Sequence, residues 1–183
     1  MAEKLDVECF KFLMNPEGIV TYVSRPVKYA LLSAATGFGL GLSPFASGTA
    51  GALLGIPLMF CISAFWTGNI TWQICCCVVL AALAIPICDV AEKHFRRKDD
   101  RRIVADEYLT FPVGLIGLPI CMPSLALAFI TNRILDILKP PPANWAQKLP
   151  GGIGIVADDV ISALYSLALN HIFFPLLITL CPS

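Results

Sequence analysis

Nine of the chain's 13 acidic residues lie between Asp89 and Asp159, and five of them abut apolar stretches directly. Asp106-Glu107 precedes YLTFPVGLIGLP, Asp136 closes LALAFITNRILD, and Asp158-Asp159 opens VISALYSLAL. A carboxylate next to hydrocarbon must be paired, hydrated or metal-bound, so it marks a functional site by default. The competing role is helix capping, because Asp and Glu satisfy the free amides and dipole of a helix N-terminus. Capping explains one such residue easily and two doublets plus Asp136 poorly. If the five meet, like charges about 5 Å apart repel by roughly 3 kcal/mol per pair at an effective dielectric near 20. They would need cations, and an all-oxygen set combined with phosphate favours Mg²⁺.

Basic and neutral groups that could hold an anion surround this set. Lys98, Arg133, Lys139 and the pair Arg101-Arg102 are available for an anionic head group, although the run KHFRRKDDRR also suits a solvated loop against anionic lipid. The stretch Ser43-Pro44-Phe45-Ala46-Ser47-Gly48-Thr49 leads to a helix expected from about Thr49. Glycines there let backbone amides converge, and the helix N-terminus adds to a phosphate cradle. A second run, PGGIGIVADD, places Gly151, Gly152 and Gly154 before the second acidic pair. Glycines of either run serve equally for close helix packing. Neither contains the Gly-Lys-Ser/Thr of a nucleotide-binding P-loop.

The elements that position these residues are apolar. Of 183 residues 57% are hydrophobic and 14% charged, and no charge occurs from position 29 to 88. That composition predicts an all-α, polytopic membrane bundle rather than a soluble domain. The 13 basic and 13 acidic residues cancel, which removes any electrostatic case for nucleic acid. Residues 36 to 51 hold five glycines, one proline and four hydroxyl side chains, so this loop must be buried in protein or line a wet cavity. Passes are expected at 50 to 66 and 70 to 88, joined at Thr67-Gly68-Asn69 between Trp66 and Trp72. The first 28 residues interleave charges with short apolar stretches. They read as a cytoplasmic or surface segment, an amphipathic element or a small cap, without a cleavable signal.

Topology decides whether the carboxylates can meet. One span over 108 to 131 would put the two doublets about 30 Å apart on opposite faces. A break at Pro119 to Pro123 instead gives helices at about 103 to 118 and 123 to 139, followed by 158 to 180, making four to five embedded helices. All 13 Lys and Arg then fall on or near one side, against a 10 to 3 split, which favours the break and a cytoplasmic site. Most of the eight cysteines lie in or beside apolar segments without a metal-type spacing and read as small hydrophobes. His94 and His171 read as solvated or structural imidazoles. No cysteine precedes an arginine by six positions and no DxD occurs, so covalent phosphatase routes find no support.

In this order, GLGLSPFASGTAGALLGIPL, KDDRRIVADEYLTFPVG, NRILDILKPPP and GGIGIVADDV resemble the phosphatidylglycerophosphatase A family, from about Leu31 to Ile172. The resemblance implies a single-domain, Mg²⁺-dependent lipid phosphatase of the bacterial inner membrane that converts phosphatidylglycerophosphate to phosphatidylglycerol and phosphate. It implies catalytic roles for Asp106, Glu107, Asp158 and Asp159, with Asp136 joining them as metal ligand. Ser43, Gly48, Thr49, Lys98, Arg133 and Lys139 would contact substrate. Three features depart from the family's pattern: Ser47 replaces a proline, Arg101-Arg102 replaces a small turn pair, and Tyr108 to Pro112 replaces a more glycine-friendly helix start. A different class of function, a small carrier or channel with a buried carboxylate pathway, would use the same acidic set.

Overall fold

A computed structural model describes residues 12–15, 18–20, 24–43, 46–63 and 68–180. The helical body contains α1 (Arg25–Ala35), α2 (Ser47–Ile62), α3 (Ile70–Phe95), α4 (Ala105–Thr110), α5 (Met122–Leu138), α6 (Ala143–Ala146) and α7 (Gly151–Leu180). Before it, β1 (Phe12–Asn15) pairs antiparallel with β2 (Gly18–Val20), a small departure from the all-α expectation. This hairpin overlaps the expected N-terminal cap; residues 1–11 lie outside the described part.

Helix α7 is the spine, packing against α3, α5 and the short α6, while α2 and α3 cover α4. Asn69 starts α3 by accepting the Thr71 N–H at 2.9 Å. The helix then continues seven residues past its expected end, because Lys93 pairs with buried Asp89 one turn earlier at 3.1 Å. At the start of α5, Pro123 fits the first turn and Ser124 Oγ accepts the Cys121 N–H at 3.1 Å. This beginning matches the expected break at Pro119 to Pro123.

The expected helix from 103 to 118 is instead the two turns of α4 followed by a 3₁₀ segment, Phe111–Leu115. Pro112 cannot donate an N–H, and Gly117 turns the chain with φ +77°. Eleven residues are too few to cross a bilayer; they pack between α2, α3 and α7. The single span over 108 to 131 is likewise absent. Among the described residues, only Ile70–Phe95 and Gly151–Thr179 are long and apolar enough to cross a membrane, so helices of crossing length do not number five. These two suggest membrane association. Their exposed faces carry Trp72, Val78, Val79, Leu83, Leu164, Ile172 and Leu176, side chains that lipid would solvate better than water.

Glycine decides how closely the helices approach. A Cβ on Gly51 would meet Val104 Cβ at 2.5 Å, and one on Gly55 would meet the Phe111 ring at 2.5 Å, so this face of α2 receives α4 and the 3₁₀ segment. On α7, a Cβ at Gly152 would sit 2.1 Å from the Ile85 carbonyl oxygen. The second glycine run is therefore a packing surface, and α7 begins at Gly151 rather than at Asp158. Two apolar clusters fill the interior. Leu32, Ala84, Cys88, Ile103, Leu109 and Ile155 belong to the one shared by α1, α3, α4 and α7, and Met59, Phe111, Leu115, Leu125 and Ala163 to the other.

Candidate active site

A cavity of about 250 Å³ opens where the first turns of α2 and α4 meet the end of α5 and the first part of α7. Asp106, Glu107, Asp136, Asp158 and Asp159 all line it, so the five carboxylates picked out by their position beside apolar stretches share one site. Each comes from a helix start or end. α4 presents Asp106 and Glu107 in its first turn, α5 presents Asp136 in its last, and α7 presents the adjacent aspartates two turns after Gly151. Asp106, Asp158 and Asp159 are buried, and neither Glu107 nor Asp136 exposes more than 15% of its side chain.

Two cations bind this acidic wall together. Arg133 Nη1 donates to the Gly48 carbonyl at 2.8 Å and to Glu107 Oε2 at 2.7 Å, and Nη2 donates to Asp136 Oδ2. One guanidinium thus ties α2, α4 and α5. Gly48 leaves room for this pairing, since a Cβ there would lie 2.5 Å from Glu107 Oε1 and push the carboxylate aside. Lys139 Nζ donates to Asp158 Oδ2 at 2.6 Å and lies 3.9 Å from Asp99. Burial works to lower the Lys139 pKa, yet the hydrogen bond and charge of Asp158 outweigh it and leave the group above the ordinary lysine value.

The carboxylates are only partly satisfied by these donors. Among the described residues, buried Asp106 Oδ1 and Asp159 Oδ2 have no hydrogen-bond partner. One ligand oxygen each from Asp136, Asp158 and Asp159 can lie within 4.8 Å of the others, the geometry of a shared cation. A buried carboxylate oxygen without a donor is costly, and a hard divalent ion bound by oxygen ligands would satisfy it. The donor set therefore fits Mg²⁺.

The anion-binding candidates divide. Gly48, Arg133 and Lys139 belong to the site, with Arg133 and Lys139 already engaged by carboxylates. Ser43 and Thr49 are not among the lining residues, and Thr49 is exposed, because α2 starts two residues earlier than expected and Ser47 and Gly48 face the cavity instead. Lys98 also lies off the cavity and donates to the Leu149 carbonyl at 3.1 Å. Three further lining residues, Asp99, Arg101 and Ile103, come from the loop between α3 and α4. Arg101 belongs to the pair that the sequence offers for an anionic head group, whereas Asp99 is there indistinguishable from a solvated run. Within that loop Asp100 accepts from Arg102 Nε at 2.8 Å and Nη2 at 2.9 Å, and the Arg102 guanidinium covers the Phe95 ring at 3.9 Å. This hydrogen bonding holds the Asp100 carboxyl below the usual range. Among the described residues no cysteine lines the cavity, and His171 bonds the Ile116 carbonyl at 2.8 Å, far along α7.

A family model for phosphatidylglycerophosphatase A matches residues 33–174. Phosphatidylglycerophosphatase A of Escherichia coli strain K12 is 34% identical over 136 residues, covering 72% of this chain and 76% of that protein. The Haemophilus influenzae protein of the same name is 32% identical over 135 residues, covering 72% and 81%. A Bacteroides thetaiotaomicron protein provisionally named a phosphatidylinositol-3-phosphatase is 36% identical over 142 residues, covering 73% and 87%. No solved structure matches. The matched span runs from the end of α1 through most of α7 and contains every carboxylate of the cavity, and on that basis the chain belongs to the phosphatidylglycerophosphatase A family of phosphatases.

Proposed function

We propose that this protein is a Mg²⁺-dependent lipid phosphatase that hydrolyses phosphatidylglycerophosphate to phosphatidylglycerol and phosphate. The observation that carries the reading is the convergence of five family-motif carboxylates in one cavity, two of them with buried oxygens that no described protein group satisfies. Asp106, Glu107, Asp136, Asp158 and Asp159 would hold the metal. When bound there, Mg²⁺ supplies Lewis acidity toward phosphoryl oxygens and offsets charge that develops on them.

The chain's own groups account for the rest. Arg133 fixes Glu107 and Asp136 against the start of α2, and Lys139 fixes Asp158. Asp106 and Asp159 keep oxygens free to orient or deprotonate the attacking water. The amides at Ser47 and Gly48, at the N-terminal end of α2, favour negative charge in the cavity. The protein would sit in a bacterial inner membrane as a multi-pass domain spanning residues 1–183, with α2 and α5 embedded beside α3 and α7 and the cavity toward the cytoplasm. A carrier or channel finds less support: the cavity of about 490 Å³ at the other end of α3, near Gln73 and Gly117, has no charged lining residue among those described.

The direct test is phosphate release from purified protein supplied with phosphatidylglycerophosphate, with Mg²⁺ present and then chelated. Release that depends on the ion is expected, and no release under either condition would overturn the reading. Parallel turnover of phosphatidylinositol-3-phosphate would test the activity that the Bacteroides relative's name suggests. Single-cysteine labelling tests orientation: positions 98 and 147 should react from the cytoplasmic side and position 69 from the opposite side.

A further inference from the structure

We propose that Arg101 is the phosphate-binding cation of this enzyme, presented to the cavity by a preformed turn and selecting the substrate's terminal phosphomonoester over the terminal hydroxyl of the product. The proposal rests on the phosphatase reading above and names the residue that reads the substrate's charge.

Two observations carry it. The first is elimination by geometry. Cations lining the cavity are Lys139 and Arg101 alone among the described residues, with Arg133 behind the wall. Lys139 is held by Asp158 at 2.6 Å, and both terminal nitrogens of Arg133 are spent on Gly48, Glu107 and Asp136. Arg101 lines the same cavity, and no described group forms an ion pair or hydrogen bond with its side chain. It is the cation there whose charge is not already committed to a carboxylate.

The second is that its backbone is fixed. The Ile103 N–H donates to the Asp100 carbonyl at 2.8 Å, closing a turn with Arg101 and Arg102 at its two central positions. Asp100 also accepts the Arg102 N–H at 3.0 Å, and the Val104 N–H donates to the Ala35 carbonyl at 2.8 Å. Gly41 lets the Arg102 carbonyl approach, since a Cβ there would be 2.3 Å from its oxygen. The paired arginines therefore divide the work. Arg102 locks the turn through Asp100 and Phe95, which leaves Arg101 projecting over the carboxylates. A planar guanidinium can donate to two phosphoryl oxygens at once, a pairing that the product's terminal hydroxyl cannot match.

The test uses Arg101→Gln and Arg101→Lys in the full-length protein, with Arg97→Gln as the exposed control in the same loop. Steady-state phosphate release and isothermal titration of inorganic phosphate, both with Mg²⁺, are measured. Loss of a charge-assisted contact should raise KM and weaken inorganic phosphate binding together by about 10- to 100-fold in Arg101→Gln, with kcat far less affected. Arg101→Lys should recover part of both, and Arg97→Gln should match the parent. Equal phosphate affinity in parent and Arg101→Gln would overturn the proposal, as would a fall in kcat with KM unchanged, because the residue would then act through the turn. Titration needs no turnover. If the parent binds phosphate in an Arg101-dependent way yet releases none from the lipid, the assigned reaction fails and the anion site stands.

Discussion

Helices α5 and α7 share two buried polar clusters, separated along α7 by about 17 Å from Asp159 to Asn170. In the deeper one, Thr131 Oγ1 lies 2.6 Å from Ser166 Oγ and donates to Asn170 Oδ1 at 2.8 Å, and Asn170 Nδ2 donates to the Gly114 carbonyl at 2.8 Å. Thr131, Ser166 and Asn170 are all hydrogen-bonded there, and the network clamps the 3₁₀ segment to the two helices. The cavity cluster is built from the same helices with more costly groups, yet it leaves oxygens of Asp106 and Asp159 without a donor. Burial alone thus does not distinguish a structural cluster from a reactive one. Incomplete satisfaction separates these two, because an unpaired buried carboxylate oxygen is costly until water, a ligand or an ion completes it.

The contrast breaks most visibly if isosteric amides are placed in the cavity. Asp106→Asn or Asp159→Asn removes charge while keeping shape, so turnover of phosphatidylglycerophosphate should fall by about 100-fold or more. Thermal stability without Mg²⁺ should hold or rise as like charges are relieved. Addition of Mg²⁺ should raise the parental Tm through preferential binding, by an amount equivalent to about 2.7 kcal/mol at a hundred times Kd, and raise that of the Asn variants far less. Near-parental turnover in both variants would return these residues to the role of helix caps.

The deeper cluster should respond in the opposite sense. Asn170→Leu strands the Gly114 carbonyl, while Thr131 keeps Ser166 and the Leu127 carbonyl, and a lost buried hydrogen-bond partner costs about 1–3 kcal/mol. The expected result is a lower Tm with kcat per folded molecule little changed. A variant of unchanged stability but lost activity would place Asn170 in the chemistry and erase the distinction.

How much of this was legible in the sequence follows the same physics. Charge beside hydrocarbon is conspicuous, so Asp106, Glu107, Asp136, Asp158 and Asp159 could be grouped before any fold was known, and the prolines around 119 to 123 fixed the turn that brings them together. The Thr131–Ser166–Asn170 clamp gave no such signal, since single hydroxyls and amides are common in apolar helices and only their juxtaposition is informative. Arg133 reads in sequence as a cation for substrate; only coordinates reveal that three protein acceptors occupy it. The stretch from 103 to 118 reads as one continuous helix because apolar residues dominate it after Glu107, and Pro112 alone does not specify the 3₁₀ segment that follows α4. Gly152 was indistinguishable from a loop glycine until α3 was found 2.1 Å from where its Cβ would be.

The smallest expected effect lies at the cavity's rim and sharpens the comparison by adding a third kind of polar cluster, one that is charged, fully paired and half exposed. Asp100 is buried, whereas the Arg102 side chain is 40% exposed. An amide at position 100 can still accept the Arg102 N–H, so Asp100→Asn should preserve the turn and lose only the charge. Because the hydrogen bonds from Arg102 hold the folded carboxyl below its unfolded value of about 3.9, the charge stabilises the fold above that pH. That contribution is lost as pH falls through the lower folded value. Thermal melts should therefore show a small deficit of Asp100→Asn against the parent at pH 7, shrinking with added salt and vanishing at the acid end. A deficit independent of both pH and salt would mean that the shape of the Asp100 side chain, and not its charge, holds the turn that presents Arg101.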